Sequence, residues 1–212
     1  MGKPTEPSQP SKPTQPSKPT QPSKPTQPTN PPSDPNDPYA YVDPTGIVPS
    51  TPKKIALKYF DEMKGSLKNK NFLTVIDFSQ YSGKKRFYLI DMRSGSVEAY
   101  KTSHGKGSDS NHDGYAESFS NVSGSNASSL GLYKTAETYN GKHGFSLKLD
   151  GLSSTNSNAR SRAIVIHPAD YVNDDTSSKS GRSWGCPALD PSVSKRIINY
   201  IAGGSLIYAW TK

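Results

Sequence analysis

Residues 164–168 are Ile-Val-Ile-His-Pro, and residues 181–188 are Gly-Arg-Ser-Trp-Gly-Cys-Pro-Ala. The apolar residues of the first stretch predict a buried β-strand that ends at His167. A polar loop separates this strand from Cys186, the only cysteine of the chain. Gly185 lets the backbone turn tightly just before that cysteine. Together the two stretches predict an imidazole at a strand end and a thiol in a turn.

This pair of residues suits nucleophilic catalysis. A thiol attacks as the thiolate, and a neighbouring imidazole is the usual means of lowering the pKa of a cysteine. The predicted roles are nucleophile for Cys186 and base for His167. Amide N–H groups in the turn of Ser183, Trp184 and Gly185 are expected to hold the oxyanion of a tetrahedral intermediate. Spacing alone leaves open the alternative of a buried structural cysteine, since free cysteine packs as a small hydrophobe.

Short strands dominate the rest of the folded sequence. Apolar or alternating runs are separated by turns rich in Gly, Ser and Asn, which is typical of β-structure. The predicted strands are Phe72–Phe78, Arg86–Met92, Val97–Thr102, Gly131–Thr135, Phe145–Leu149, Ala163–Ile166 and Ser205–Trp210. With a helix near each end of this series, the sequence predicts a mainly β fold with flanking helices (α+β), a sandwich or an open barrel.

Two amphipathic segments predict those helices. Residues 53–68 carry apolar side chains at helical spacing behind Thr51-Pro52, an N-cap and a first-turn proline. Asp190-Pro191 opens a second helix, which continues through Ile201 and ends at Gly203-Gly204.

The first 52 residues differ in composition from the remainder. Sixteen of the 19 prolines lie there, and the hexad Ser-Lys-Pro-Thr-Gln-Pro repeats within residues 11–27. Proline at every third position favours an extended polyproline II chain without an apolar face. The sequence therefore predicts a spacer over residues 1–52 and one catalytic domain over residues 53–212.

The formal charge of +8 also falls on residues 53–212, because the lysines and acids of residues 1–52 cancel. A basic domain suits an anionic partner such as nucleic acid, anionic lipid or a cell-wall polymer that bears carboxylates, and a solvated basic surface without a partner is the competing interpretation. The sequence contains no run of Lys and Arg interleaved with aromatic residues, the pattern that would indicate binding of nucleic acid. No apolar run is long enough to cross a membrane, so we expect contact with the membrane only through a signal or anchor missing from this sequence.

One short motif suggests a metal. Asp109-x-Asn111-x-Asp113-Gly114 matches the opening of a calcium-binding loop, but the twelfth position is Ser120 where a bidentate glutamate is needed. A polar turn is the competing interpretation. The other histidines lack the spacing of a zinc motif, so we expect no metal or organic cofactor in the reaction.

The strand ending in His167, followed by Ser-x-Gly-Cys, resembles the catalytic domain of murein L,D-transpeptidases (YkuD-type), in a divergent subfamily. The resemblance covers about residues 70–210. The other stretches that carry it are 103–105, 119–121, 128–133, 141–144, 146–152 and 182–188. It implies the L,D-transpeptidase-like β-sandwich or open barrel.

The resemblance also implies a reaction. Cys186 would be acylated by a peptidoglycan tetrapeptide at its third residue, release D-alanine, and pass the acyl group to an amine. A backbone carbonyl is expected to orient His167, since no Asp or Asn stands out as a third member. The implied setting is the periplasm or cell envelope, where carbapenems would acylate the same thiol. The partners would be stem peptides and a wall-linked acceptor protein, and the enzyme would be a monomer.

Substrate contacts are expected at Arg182, His104, Asn121 and Ser129. Trp184 departs from the family pattern, which usually has His or Arg before the Gly-Cys pair, and Ala188 replaces an Arg or Asn. The contacts that the family normally makes at these two positions are therefore not carried over to this chain, and Arg182 is expected to bind a stem-peptide carboxylate through two N–H groups of its guanidinium.

Other functions stay open at this point. The same thioester can be hydrolysed, giving an L,D-carboxypeptidase or endopeptidase, and a domain with this fold can serve as a non-catalytic wall-binding module. Papain-like wall hydrolases place the cysteine before the histidine, and sortases lack the Ser-Trp-Gly-Cys context.

Overall fold

The computed structural model describes residues 1–2 and 36–212, so the repeats of the predicted spacer lie outside the described residues. The described chain forms two helices and eight strands. In order they are α1 (Ser50–Met63), β1 (Phe72–Asp77), β2 (Phe87–Asp91), β3 (Val97–Tyr100), β4 (Gly131–Gly141), β5 (Gly144–Gly151), β6 (Val165–Pro168), β7 (Ala188–Leu189), α2 (Pro191–Ile201) and β8 (Leu206–Trp210).

The eight strands form one sheet in the order β3-β2-β1-β8-β4-β5-β6-β7. Pairing is antiparallel except for β1 with β8 and β6 with β7. All seven predicted strands are present, and β7 is the additional one. Its two residues are too few to show an apolar pattern.

The two ends of the sheet approach each other beyond β3. The Ser103 N–H donates to the Ala188 carbonyl at 3.1 Å, and Gly105 forms a parallel bridge with Ser183. These contacts nearly close the sheet into a barrel, which confirms the predicted mainly β fold with flanking helices. The turn that carries Cys186 lies in this seam.

A hydrophobic core lies on each face of the sheet. Strand β1 is buried on both sides, since Phe72 and Ile76 join the core that includes α2 while Leu73 and Val75 join the core that includes α1. Helix α2 begins as predicted, with the Asp190 carboxylate accepting the Ser192 N–H at 2.7 Å. Neither α1 nor α2 of the described chain has the length and apolar character required of a membrane-crossing segment.

The packed chain extends upstream of α1. Val42 and Val48 are buried in the core against α1, whereas Tyr41 and Ile47 are 44% and 45% exposed. The buried Asp43 carboxylate pairs with Lys53 Nζ at 2.9 Å. Helix α1 begins at Ser50, ahead of the predicted start at residue 53.

Candidate active site

Strand β6 places the imidazole beside the cysteine turn. The parallel register of β6 and β7 pairs His167 with Ala188. Cys186 lies two residues before Ala188 and therefore falls opposite Val165, whose N–H points at Cys186 Sγ at 3.5 Å. The thiol in turn points at the Ala163 carbonyl at 3.6 Å.

Cys186 and His167 line the same open cleft, which has a volume of about 430 Å³. The Cys186 side chain is half-buried, so the sulfur is not sealed in the interior. Within residues 36–212, no hydrogen bond joins the sulfur to the imidazole. The cleft is lined by Tyr139, Lys142, His143, Arg162, Ala163, Val165, His167, Tyr171, Arg182, Ser183, Trp184 and Cys186.

A backbone carbonyl orients the His167 ring, as the sequence predicts. His167 Nδ1 lies 2.8 Å from the Pro168 carbonyl oxygen. A carbonyl only accepts hydrogen bonds, so we assign the proton of the neutral ring to Nδ1, which leaves Nε2 as an acceptor. That tautomer is the one a general base requires.

The surroundings keep both groups neutral at rest. Burial lowers the pKa of His167, and the charges of His143 and Lys142 lower it further, against the opposing effect of the Pro168 carbonyl. Burial raises the pKa of the Cys186 thiol, against the Val165 N–H and the charge of Arg162. The site therefore rests as a thiol and a neutral imidazole, so any attack by the sulfur would require transfer of its proton.

The turn before the cysteine offers fewer free donors than predicted. The Gly185 N–H donates to Ser183 Oγ at 3.1 Å, and Ser183 Oγ donates to the Cys186 carbonyl at 2.6 Å. The Gly185 amide is therefore already used inside the turn. The amides of Trp184 and Cys186 have no protein acceptor in the described part of the chain. They are the donors that an oxyanion can meet.

Hydrogen bonds from neighbouring segments hold this turn in place. The Ser183 N–H donates to the His104 carbonyl at 2.9 Å, and the Lys106 N–H donates to the Ser183 carbonyl at 2.8 Å. Ser128 Oγ donates to the Gly185 carbonyl at 3.1 Å. The turn is thus fixed to the seam of the barrel before any substrate binds.

The side chain of His104 does not line the cleft. It is 1% exposed, between Arg86 Nη2 at 2.7 Å from Nδ1 and Asp109 Oδ2 at 3.0 Å from Nε2. Burial, together with the charge of Arg86, lowers the pKa of His104 to about 4. The predicted substrate contact is therefore corrected, because this neutral ring joins two buried charged groups and acts through its backbone carbonyl.

Asn121 and Ser129 are also not among the residues that line the cleft. Asn121 Nδ2 donates to the Ser154 carbonyl at 3.0 Å, and its Oδ1 accepts the Asn158 N–H at 3.0 Å. Ser129 is buried, with Oγ 2.7 Å from Tyr133 Oη. Both side chains tie loops together, so the geometry gives no support to their predicted contact with substrate.

The loop considered for calcium is held by its own hydrogen bonds. The Asp109 carboxylate accepts the N–H groups of Asp113 and Gly114, both at 3.0 Å, besides its contact with His104. Asn111 Nδ2 donates to the Asp113 carboxylate at 3.1 Å. Within the described ranges, no group of three or more His, Cys, Asp or Glu is arranged to hold a metal.

Arg182, predicted to contact substrate, does line the cleft. Its Nη1 donates to the Asp109 carbonyl, which holds the guanidinium at the edge of the cleft. The predicted carboxylate fork stays a prediction.

Sequence reasoning missed two residues beside the predicted catalytic pair. His143, at the turn between β4 and β5, stacks on the His167 ring at 4.6 Å between centroids and 30° between planes. Arg162 lines the cleft beside Cys186 and donates to the carbonyls of Ser120 and Ala127, both at 2.6 Å. The glycines around His143 indicate a hairpin turn, but nothing local indicates that the turn folds onto β6.

Comparison with known proteins bears out the family resemblance. The sequence profile of the L,D-transpeptidase catalytic domain matches residues 48–210. A comparison with curated proteins gives no match.

Solved structures of L,D-transpeptidases are similar over part of the chain. One from Mycobacterium smegmatis has 12% identity and a TM-score of 0.41, over 66% of this chain and 58% of that one. One from Mycobacterium tuberculosis H37Rv has 13% identity and a TM-score of 0.43, over 66% and 57%. L,D-transpeptidase 3 from Mycobacterium tuberculosis, in complex with a faropenem-derived adduct, has 12% identity and a TM-score of 0.42, over 66% and 60%. The chain thus spans about three fifths of the length of these structures.

Proposed function

This chain belongs to the L,D-transpeptidase catalytic domain family, and we propose that it transfers peptidoglycan stem peptides through a thioester on Cys186. The observation that carries the proposal is the cleft that Cys186 and His167 share. In that cleft the Nδ1 contact with the Pro168 carbonyl leaves Nε2 of His167 free to accept a proton. Cys186 is also the only thiol of the chain.

In the first step the thiol becomes acylated. His167 Nε2 takes the proton of Cys186 as Sγ attacks the carbonyl at the L-centre of the third stem residue, usually diaminopimelate. Oxygen of that carbonyl gains negative charge in the tetrahedral intermediate. We assign the binding of this charge to the N–H groups of Trp184 and Cys186, because neither is used within the turn.

Collapse of the intermediate breaks the peptide bond. The protonated His167 returns its proton to the departing nitrogen, and terminal D-alanine leaves as the free amine. The acyl group remains on Cys186 as a thioester. The ring needs no net proton from solvent in this half-reaction, since it accepts one and returns it.

In the second step an acceptor amine attacks the thioester. His167 takes a proton from the amine, and the Cys186 sulfur leaves and is reprotonated. An amine of another stem peptide gives a 3–3 cross-link, and an amine of a wall-linked protein gives its attachment. Water as the acceptor would give a tripeptide and make the protein an L,D-carboxypeptidase.

The proposed location follows from the substrate. Peptidoglycan lies outside the cytoplasmic membrane, so we place the enzyme in the periplasm or cell envelope. A basic catalytic domain, with a chain charge of +8, agrees with anionic wall polymer as its surroundings.

Product analysis tests this function. The protein is incubated with a disaccharide-tetrapeptide, and dimers, tripeptides and free D-alanine are separated and identified by mass spectrometry. We expect dimers together with released D-alanine, and neither product from Cys186→Ala. Tripeptide without dimer at high acceptor concentration would identify a carboxypeptidase. Absence of every product, with no carbapenem adduct on Cys186, would favour a wall-binding module.

A further inference from the structure

The charges around the cleft are not compensated by acidic residues. Lys142, Arg162 and Arg182 line it, Lys106 lies at its edge over Trp184, and no Asp or Glu is among the lining residues. Within the described ranges, none of these four cations has a carboxylate oxygen within 4.0 Å. The two arginines donate to backbone carbonyls or hydroxyls, which carry no charge to offset theirs.

A neighbouring pocket shows the opposite arrangement. It has a volume of about 220 Å³ and shares Tyr139, Ala163 and Val165 with the cleft. Its cations are both paired, because Lys148 lies 3.0 Å from a Glu137 oxygen and Arg160 lies 2.7 Å from carboxylate oxygens of Glu137 and Asp150. The fold therefore compensates the cations of this pocket and leaves those of the cleft that holds Cys186 without an acidic partner.

The two unpaired lysines meet at one exposed ring. Trp184 is 70% exposed, and the ammonium groups of Lys106 and Lys142 lie 5.4 and 5.7 Å from the centroid of its ring. Contact with the ring holds both ammonium groups near the cleft mouth while their hydrogen-bond donors stay free. We call Trp184, Lys106, Lys142 and Arg182 the cationic rim.

We propose that the cationic rim binds free carboxylates of the acyl donor, so that the enzyme selects stem peptides whose carboxyl groups are not amidated. This inference rests on the proposed function, because it concerns the donor of the same reaction. The scissile carbonyl must reach Cys186, and since the second residue and the third side chain adjoin that carbonyl in the stem, we expect them to lie near the rim. A carboxylate there meets ammonium and guanidinium groups that have no other anion, whereas a carboxamide brings no charge.

Two matched donors test the inference with the full chain. They are synthetic tetrapeptides that differ only in the second-residue carboxyl and the third side-chain carboxyl, which are free in one and carboxamides in the other. Release of D-alanine gives kcat/KM for each. At low ionic strength we expect the free donor to be favoured by about tenfold, the effect of two or three partly exposed ion pairs. Near 1 M salt, where the Debye length is about 3 Å, the preference should shrink to about twofold.

Paired variants locate the effect on the rim. In the double variant Lys106→Gln, Lys142→Gln we expect the ratio of the two kcat/KM values to fall towards one. The control is Lys54→Gln, Lys195→Gln, which removes the same charge from two exposed lysines on α1 and α2 and should keep the wild-type ratio.

The outcomes separate this inference from the proposed function. Equal kcat/KM for both donors, or a preference for the amidated one, would overturn the selection of free carboxylates while leaving the transpeptidase reaction in place. An unchanged ratio in the rim variant would overturn the assignment to Lys106 and Lys142. Failure to release D-alanine from either donor would contradict the proposed function itself.

Discussion

Replacement of Gly185 by alanine should slow the acylation of Cys186 far more than it lowers the stability of the fold. Gly185 has a φ of +119°, outside the region that residues with a Cβ normally adopt. A Cβ at this position would lie 2.7 Å from the Ala127 carbonyl oxygen and 3.0 Å from Ile164 Cδ1. Because that oxygen belongs to the backbone, the turn before Cys186 must move to relieve the contact.

The expected magnitudes follow from these two costs. A residue with a Cβ in such a backbone conformation costs about 1–3 kcal/mol. For a chain of this size that corresponds to a fall in Tm of roughly 2–4 °C per kcal/mol. A shift of about 1 Å in a reacting group can cost about 100-fold in rate. The displaced turn carries both Cys186 and its N–H, so we expect acylation to fall by about that factor.

The assay is the rate of adduct formation with a carbapenem, followed by intact-mass spectrometry beside a thermal melt. Gly203→Ala is the matched control, since Gly203 also has a positive φ, +77°, but a Cβ there meets nothing within 4 Å. The control should lose Tm and keep its acylation rate. Wild-type acylation by Gly185→Ala would refute the claim that this turn positions the nucleophile.

Four further predictions concern titration and packing. Acylation should slow on acidification with a midpoint below about 6.5, because burial lowers the pKa of His167. His143→Phe keeps a stacked ring but removes the electrostatic effect of the imidazole on His167, so the midpoint should rise in a pH–rate profile, and an unchanged midpoint would exclude such an effect of His143. His104 is neutral with a pKa of about 4 in the fold, so it contributes stability that is present above about pH 6.5 and lost as pH falls towards 4, up to about 3 kcal/mol. Urea unfolding at pH 6.5 and 4.5 measures this loss, which should be smaller in His104→Gln. Asp190→Ala removes the N-cap contact with Ser192 and should cost about 1 kcal/mol in the same urea assay without changing the acylation rate at saturating carbapenem.

Local patterns were sufficient for most of the fold. Each of the seven predicted strands buries apolar residues, and α2 has both its proline and its cap in the sequence. For β4 the apolar pattern predicts an end at Thr135, whereas the strand continues to Gly141. Its last residues are polar and exposed, so backbone pairing with β5 rather than burial keeps them in the strand.

The same distinction between residues that a local pattern predicts and residues that it does not applies to the site. Cys186 and His167 stand in patterns that a single sequence can show, and the structure brings both to one cleft. His143 enters that cleft because the turn between β4 and β5 folds onto β6, and the residues next to it give no sign of this contact. Arg162 lies only three residues before β6, but its hydrogen bonds to the Ser120 and Ala127 carbonyls join segments that are distant in sequence, which no local pattern predicts. His104 is the opposite case, a predicted cleft residue that lies elsewhere. Its polar context in the sequence suggests a cleft residue, but its ring is buried between Arg86 and Asp109.

The covalent intermediate is the central claim, and an intact-mass spectrum of the protein quenched in acid during turnover of a tetrapeptide donor tests it most directly. We predict a mass increase equal to the acyl tripeptide, located on Cys186 by fragmentation and absent in Cys186→Ala. D-Alanine release that continues in Cys186→Ala, or an acyl group found on another residue, would contradict the mechanism.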